Sequence, residues 1–229
     1  MTTASLSHAD VRVRDAVMRQ LEWDPEVDAS AIGVAARDGA VTLTGFVDSY
    51  AGKLAAERAA KRVRGVRAVA NDIDVRVKLP RVDTDIAVDV VRALELRSTV
   101  PDSVQAAVHN GRVTLTGTVS GFFQKRDAEK AVRHIRGVRD VFNHIAVAPG
   151  ALGRDVRRRI VAALHRNANL DAQRITVAVS GGKVILSGHA STWLERESAE
   201  RAAADAPGIS QVENRIAIES RLGDLDEMC

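Results

Sequence analysis

Apolar residues recur at every fourth position in three stretches of the chain: Val13, Val17 and Leu21; Ile86, Val90 and Leu94; Val156, Ile160 and Leu164. That i, i+4, i+8 spacing gives a helix one apolar stripe. Each stretch is followed by alternating apolar and polar residues, as in Ile175-Thr-Val-Ala-Val179, the pattern of a half-buried strand. A two-residue turn, Asp38-Gly39 or Asn110-Gly111, then leads into a second strand, which is a strong hairpin signal. Gly45, Gly117 and Gly188 are expected to end that strand. A second helix is predicted over 49–64, 121–136 and 192–206. Its inner face carries Ala56, Ala59 and Val63, matched by Ala128, Ala131 and Ile135 and by Ala199, Ala202 and Ala206. Residues this small imply close approach of the helix to its neighbours. Gly65, Gly137 and Gly208 stand where a C-terminal cap belongs. A third strand follows, such as Asn71-Asp-Ile-Asp-Val-Arg-Val77.

The order of elements is therefore repeated three times, and two blocks keep the same register. Asp38-Gly-Ala-Val-Thr-Leu-Thr-Gly45 returns as Asn110-Gly-Arg-Val-Thr-Leu-Thr-Gly117 and as Gly181-Gly-Lys-Val-Ile-Leu-Ser-Gly188, with closing glycines 72 and 71 residues apart. Gly65-Val-Arg-Ala-Val-Ala-Asn71, Gly137-Val-Arg-Asp-Val-Phe-Asn143 and Gly208-Ile-Ser-Gln-Val-Glu-Asn214 keep the same 72 and 71 spacing. A common period in two separate blocks marks tandem modules. The expected fold class is α+β. Each αββαβ module is predicted to be a three-stranded mixed sheet with two helices packed on one face, over residues 7–79, 80–149 and 150–221. If the third strand runs parallel to the second, the second helix is their crossover, expected right-handed. The linkers near Leu79-Pro80 and Ala148–Gly153 are short, so the modules are expected to touch.

The block pattern of a turn glycine, Val-x-Leu-x-Gly, an Ala-rich helix and Gly-Val-x-x-Val-x-Asn resembles the BON (bacterial OsmY and nodulation) domain family. The resemblance covers about residues 7 to 219 in three tandem copies. The third departs most, with Ile209-Ser210 in place of Val-Arg and Ala190 in place of a valine. The resemblance implies envelope stress, binding to phospholipid or membrane surfaces, and, in one cytosolic branch, potassium binding. Most relatives with tandem copies are periplasmic.

Composition sets outer limits. Of the 229 residues 45% are hydrophobic but only 3% aromatic, so the cores must be built from Val, Ile, Leu and Ala. Modules of about 70 residues are marginal on buried area alone. Contacts between modules, or with another chain as in a homo-oligomer, are expected to supply part of the stability. Cys229 is the single cysteine, which excludes an intrachain disulfide and a Cys-based zinc site. The first ten residues do not read as a secretory signal, and no apolar run reaches the roughly 20 residues of a membrane span. The expectation is a soluble cytoplasmic protein, or a periplasmic one if an export signal has been removed.

No catalytic, cofactor-binding or metal-binding residue is assigned. His8, His109, His134, His144, His165 and His189 form no His-x-x-x-His pair and are not repeated between copies, so they read as surface residues. His134 and His144 flank one helix-to-strand connection and are the pair that could approach. Asp24, Glu26 and Asp28 resemble the start of a calcium loop, but Ala29 and Ala35 stand where glycine and glutamate are required. Asn167-Ala-Asn169-Leu-Asp171 occupies the same place in the third copy. Gly181-Gly182-Lys183 closes a hairpin rather than opening a helix, unlike a phosphate loop.

One class of position invites a functional reading. Tyr50, Phe122 and Trp193 are repeat equivalents at the start of the second helix. Each ring either caps its own module's core or sits at an edge suited to lipid or to a neighbouring module. Residues 48–64 hold Lys53, Arg58, Lys61, Arg62 and Arg64 against two acidic residues. Residues 120–136 hold Lys125, Arg126, Lys130, Arg133 and Arg136 against two. The third copy inverts this charge on its second helix and carries its arginines on the first, at Arg154, Arg157, Arg158, Arg159 and Arg166. Such runs are mostly solvated faces, and the alternation also suits salt-bridged docking between modules or chains. The candidate binding surface comprises Tyr50, Lys53, Arg58, Phe122, Lys125, Arg126 and Trp193.

The expected function is a non-enzymatic, stress-associated protein that engages anionic phospholipid surfaces or protein partners. A cytosolic potassium, calcium or small-ligand sensor and a purely structural assembly module are the alternatives. Nucleic acid is disfavoured despite a pI near 9.3, because the net charge is only +3 and the strand faces lack stacking aromatics.

Overall fold

The computed structural model describes residues 7–77, 81–150, 155–166 and 172–219. The linker residues Leu79, Pro80 and 151–153, Arg154, the Asn167–Asp171 loop and Cys229 lie outside them.

In the first module, α1 spans His8–Trp23, and its start is fixed by Ser7, whose side chain accepts from the Asp10 backbone N–H. Val13, Val17 and Leu21 form the buried stripe. Strands β1 (Ile32–Arg37) and β2 (Ala40–Val47) make an antiparallel hairpin. Its turn residues Asp38 and Gly39 have φ of 50° and 77°, the left-handed pair that a tight hairpin turn requires. Helix α2 (Tyr50–Lys61) then carries the chain over the sheet to β3 (Ala68–Val75), which pairs parallel to β2. Both helices lie on one face, because Val41, Leu43 and Val47 share a core with Val17 and with Ala56, Ala59 and Ala60.

The second module repeats this with α3 (Asp83–Glu95), β4 (Gln105–His109), β5 (Arg112–Thr116), β6 (Thr118–Val119), α4 (Phe122–Val132), β7 (Asp140–Asn143) and β8 (Ala146–Val147). Here the middle strand is interrupted at Gly117, so β5 pairs with β7 and β6 with β8. The third contains α5 (Val156–Arg166), β9 (Ile175–Ser180), β10 (Lys183–Ala190), α6 (Trp193–Ala204) and β11 (Gln211–Ile218). The fold class is that expected, α+β, with a mixed three-stranded sheet in each module and the short β6–β8 pair beside the second.

Two local expectations are corrected. Gly45 and Gly188 do not end their strands, which run on to Val47 and Ala190. The glycines are needed for close approach: their φ values are 115° and 121°, and a Cβ would lie 2.0 Å from the carbonyl oxygens of Ala31 and Arg174. The second helices are also shorter than expected, ending at Lys61, Val132 and Ala204. Their buried stripe continues through Ala60, Val132 and Ala203, while Val63, Ile135 and Ala206 pack against the cores from the turns that follow.

The repeated asparagines tie the second helix to the third strand. Asn71, Asn143 and Asn214 donate Nδ2 to the carbonyls of Lys53 (3.1 Å), Lys125 (2.9 Å) and Arg196 (3.1 Å). The same nitrogens reach Glu57, Glu129 and Glu200, and each Oδ1 accepts from the N–H of Ile73, Ile145 or Ile216. An amide meets both demands because it donates and accepts at once.

Candidate interaction surfaces and the junctions between modules

The aromatic position is set by a cap. Ser49 accepts from the Gly52 N–H and Thr192 from the Glu195 N–H, and Gln124 closes the Gly121 end of α4. Tyr50, Phe122 and Trp193 are therefore the first residues of their helices and project from a fixed end.

That end docks on the next module. Tyr50 is only 7% exposed and belongs to the second module's core, beside Val138 and Val141, with Leu54 packed against the same cluster. Burial, followed by the neighbouring Glu129, Asp140 and Glu57 carboxylates, pushes its phenol well above the usual tyrosine range. Phe122 packs against the third module's core. Trp193 faces the first module, where the Lys61 Nζ lies 5.7 Å from its ring centroid and its Nε1 donates to Glu197 at 3.1 Å. Module one thus docks on two, two on three, and three on one, and the contacts form a closed cycle.

The two later junctions carry charge. Arg126 pairs with Asp205 at 2.5 Å. Lys61 is held between Glu57 at 2.7 Å and Glu197 at 2.6 Å. Burial acts to lower the Lys61 pKa, but hydrogen bonds to Glu197 and Glu57 win and hold it above the ordinary value. Burial acts to raise the Glu57 carboxyl, but the hydrogen bonds and charge of Lys61 outweigh it and hold it below. Clefts of about 410 and 540 Å³ border the first two junctions, one between Asp48 and Arg133–Val138, the other between Phe122 and Glu197–Val212.

The other candidate residues have structural partners of their own. Arg58 pairs with Glu26 at 2.5 Å, and Lys125 donates to the Ile145 carbonyl at 2.8 Å. The Lys53 carbonyl accepts from Asn71. The carboxylate run after α1 is a turn: Asp24 accepts from the Glu26 N–H and pairs with Arg62, while Asp28 caps the Ser30 N–H. His144 stacks on Phe142 with centroids 6.4 Å apart, whereas His134 is bonded to Arg133 at 2.9 Å. Among the described residues no group of three or more His, Cys, Asp or Glu is placed to hold a metal ion. Nor is any helix there long and apolar enough to cross a membrane.

Helix α5 offers a different surface. Val156, Ile160 and Leu164 are buried, while Arg157, Arg158, Arg159, His165 and Arg166 are exposed, and the helix contains no acidic residue. Arg157 is tied to the Val177 carbonyl and Arg158 to Asp155. By contrast α1 and α3 mix both signs of charge.

Comparison with known proteins agrees with this repeat. The BON domain model matches residues 9–77, 82–149 and 154–220. Osmotically-inducible protein Y of Escherichia coli (strain K12) is 32% identical over 126 residues, covering 52% of this chain and 63% of that protein, so the match spans under two thirds of the relative. Among solved structures, the C-terminal domain of CdsD, the structural protein of the Type III secretion system of Chlamydia trachomatis, aligns over 90% of this chain and 96% of its own at 12% identity and a TM-score of 0.26. A second CdsD structure aligns over 90% and 91% at 13% identity and the same TM-score of 0.26. Three copies of one motif, matched along nearly the whole chain, place this protein in the BON domain family.

Proposed function

We propose that this chain is a non-enzymatic binding protein that engages anionic phospholipid surfaces and acts under osmotic or related stress. The observation that carries the reading is the α5 face, where an apolar stripe is buried and arginines point outward with no acidic residue in the helix. Each basic side chain near an anionic membrane contributes about 1 kcal/mol. The closed cycle of junctions supports presentation of that face on one fixed body. The name of the osmotically inducible relative supports the stress setting.

Cosedimentation with phosphatidylglycerol-containing liposomes tests it, with phosphatidylcholine liposomes as control. Binding is expected at low salt, is expected to weaken as salt rises, and should fall with Arg159→Ala and Arg166→Ala together. Absence of binding at low salt overturns the lipid reading. Changing Lys53, Arg58, Lys125 and Arg126 to Ala is expected to weaken binding as well, through loss of internal contacts at Arg58 and Arg126, and therefore with a lower melting temperature. A protein partner is the second reading, favoured by Phe46 and Phe142, each 43% exposed on a strand.

A further inference from the structure

We propose that the charges at the helix junctions set the order in which the three modules dock, so that each module meets the matched surface of a different module instead of a copy of itself. The selecting position lies four residues after the aromatic, at Leu54, Arg126 and Glu197, which are repeat equivalents. Each meets the next module: Leu54 its core, Arg126 the end of α6 at Asp205, Glu197 the end of α2 at Lys61. The receiving helix ends also differ in charge: Lys61-Arg62, Arg133-His134 and Ala204-Asp205.

Only some combinations are attractive. At the end of the receiving helix Arg126 finds an acid only on the third module, at Asp205, because the acid one turn earlier (Glu57, Glu129 or Glu200) is common to all three. On the first it would meet Lys61 and Arg62, and on a second copy of its own module it would meet Arg133. Glu197 set against another third module would meet Asp205. The charges thus reject like-with-like trimers of the second and third modules, and the reversed cycle keeps only one attractive pair, Glu197 with Arg133, while setting Arg126 against Lys61 and Arg62. Like charges brought together at an interface act by exclusion, which is how related surfaces are kept from mispairing. A head-to-tail contact that did not close within one chain would instead propagate from chain to chain. The Arg126 position is demanding for a further reason: its Nε is buried without a hydrogen-bond partner, so the pair with Asp205 is what holds the guanidinium there.

The test is the exchange Arg126→Glu with Glu197→Arg, which preserves composition and net charge. It sets a carboxylate at position 126 against Asp205 and a guanidinium at position 197 against Lys61. The full chain is expected to remain folded by circular dichroism. Its radius of gyration should increase in small-angle scattering, and its melting temperature should fall by roughly 2–8 °C. Adding Lys61→Glu and Asp205→Arg to that variant re-matches both junctions and is expected to restore the compact form. Parent-like scattering and melting of the exchange variant would overturn the proposal. If the exchange variant does not fold, the matched single pair Arg126→Asp with Asp205→Arg, measured against each change alone, decides the same point. Failure of the double change to recover the loss counts against the charge code. No lipid enters these measurements, so their outcome is independent of membrane binding.

Discussion

Lys61 and Glu197 lie 2.6 Å apart across 136 residues of sequence, and this bond links the last module to the first. With Glu57 at 2.7 Å from the same ammonium, one cation serves two carboxylates. The Glu57 pKa is held below its ordinary 4.5, so its contribution is present above that pH and is lost as pH falls through the lower folded value. The Lys61 pKa is held above its ordinary 10.5, so its contribution is present below that pH and is lost as pH rises through the higher folded value. The stability difference between the parent and Glu57→Gln is therefore expected to be constant near neutrality and to shrink below about pH 4. Urea denaturation from pH 3 to 8 measures it.

Tyr50 belongs to the first module by sequence and to the second by packing. Tyr50→Ala is expected to cost about 3–5 kcal/mol, the range for truncating a buried ring. The loss should uncouple the two modules, so that calorimetry resolves a separate transition. Tyr50→Phe keeps the ring but gives up the hydroxyl's hydrogen bond with the Val141 backbone, and is expected to cost about 1 kcal/mol. Equal effects of the two changes would place the burden on the hydroxyl.

The asparagine that closes each second block can be tested by charge. Asn143→Ala removes bonds to the Lys125 carbonyl, Glu129 and the Ile145 N–H, and is expected to cost about 1–3 kcal/mol. Asn143→Asp keeps the acceptor for Ile145 but loses the donor and faces Glu129 with a like charge. At neutral pH it should destabilise at least as much as alanine, with the difference narrowing on acidification.

Two glycines of the third module should respond differently. Gly188→Ala would place a Cβ 2.0 Å from the Arg174 carbonyl oxygen, so strand pairing must shift and the module should lose more than about 2 kcal/mol. Gly181 has φ of 57° and open space around its Cβ direction, which suits asparagine. Gly181→Asn, which copies Asn110 of the second module, is expected to be tolerated within about 0.5 kcal/mol. Thermal melts of both variants check the contrast.

The hairpin turns, the helix stripes and the repeat period were legible because each depends on residues near in sequence. Gly65 and Gly137 do not cap their helices, which end at Lys61 and Val132 on the caps Arg62 and Arg133; with φ of 90° and 98° they serve instead the turn that leads into the third strand. The role of Gly45 was not legible as a strand interior, since the obstructing Ala31 carbonyl comes from across the hairpin. Nor were the targets of Tyr50, Phe122 and Trp193. A ring at a helix start shows that an edge is apolar but not what covers it.

The module was written in residues near one another in the chain: the spacing of Val13, Val17 and Leu21 and the two-residue turn at Asp38-Gly39 return in every copy and need only local geometry, whereas the Asn71 block recurs as a pattern whose helix partner only the fold supplies. The sequence also carried the charge inversion between Arg126 and Glu197, though not its meaning. Tertiary structure decided which module each aromatic enters and which acid each cation meets. Those choices rest on burial and on Coulomb attraction between groups far apart in the chain, and they exist only once all three modules have folded and docked.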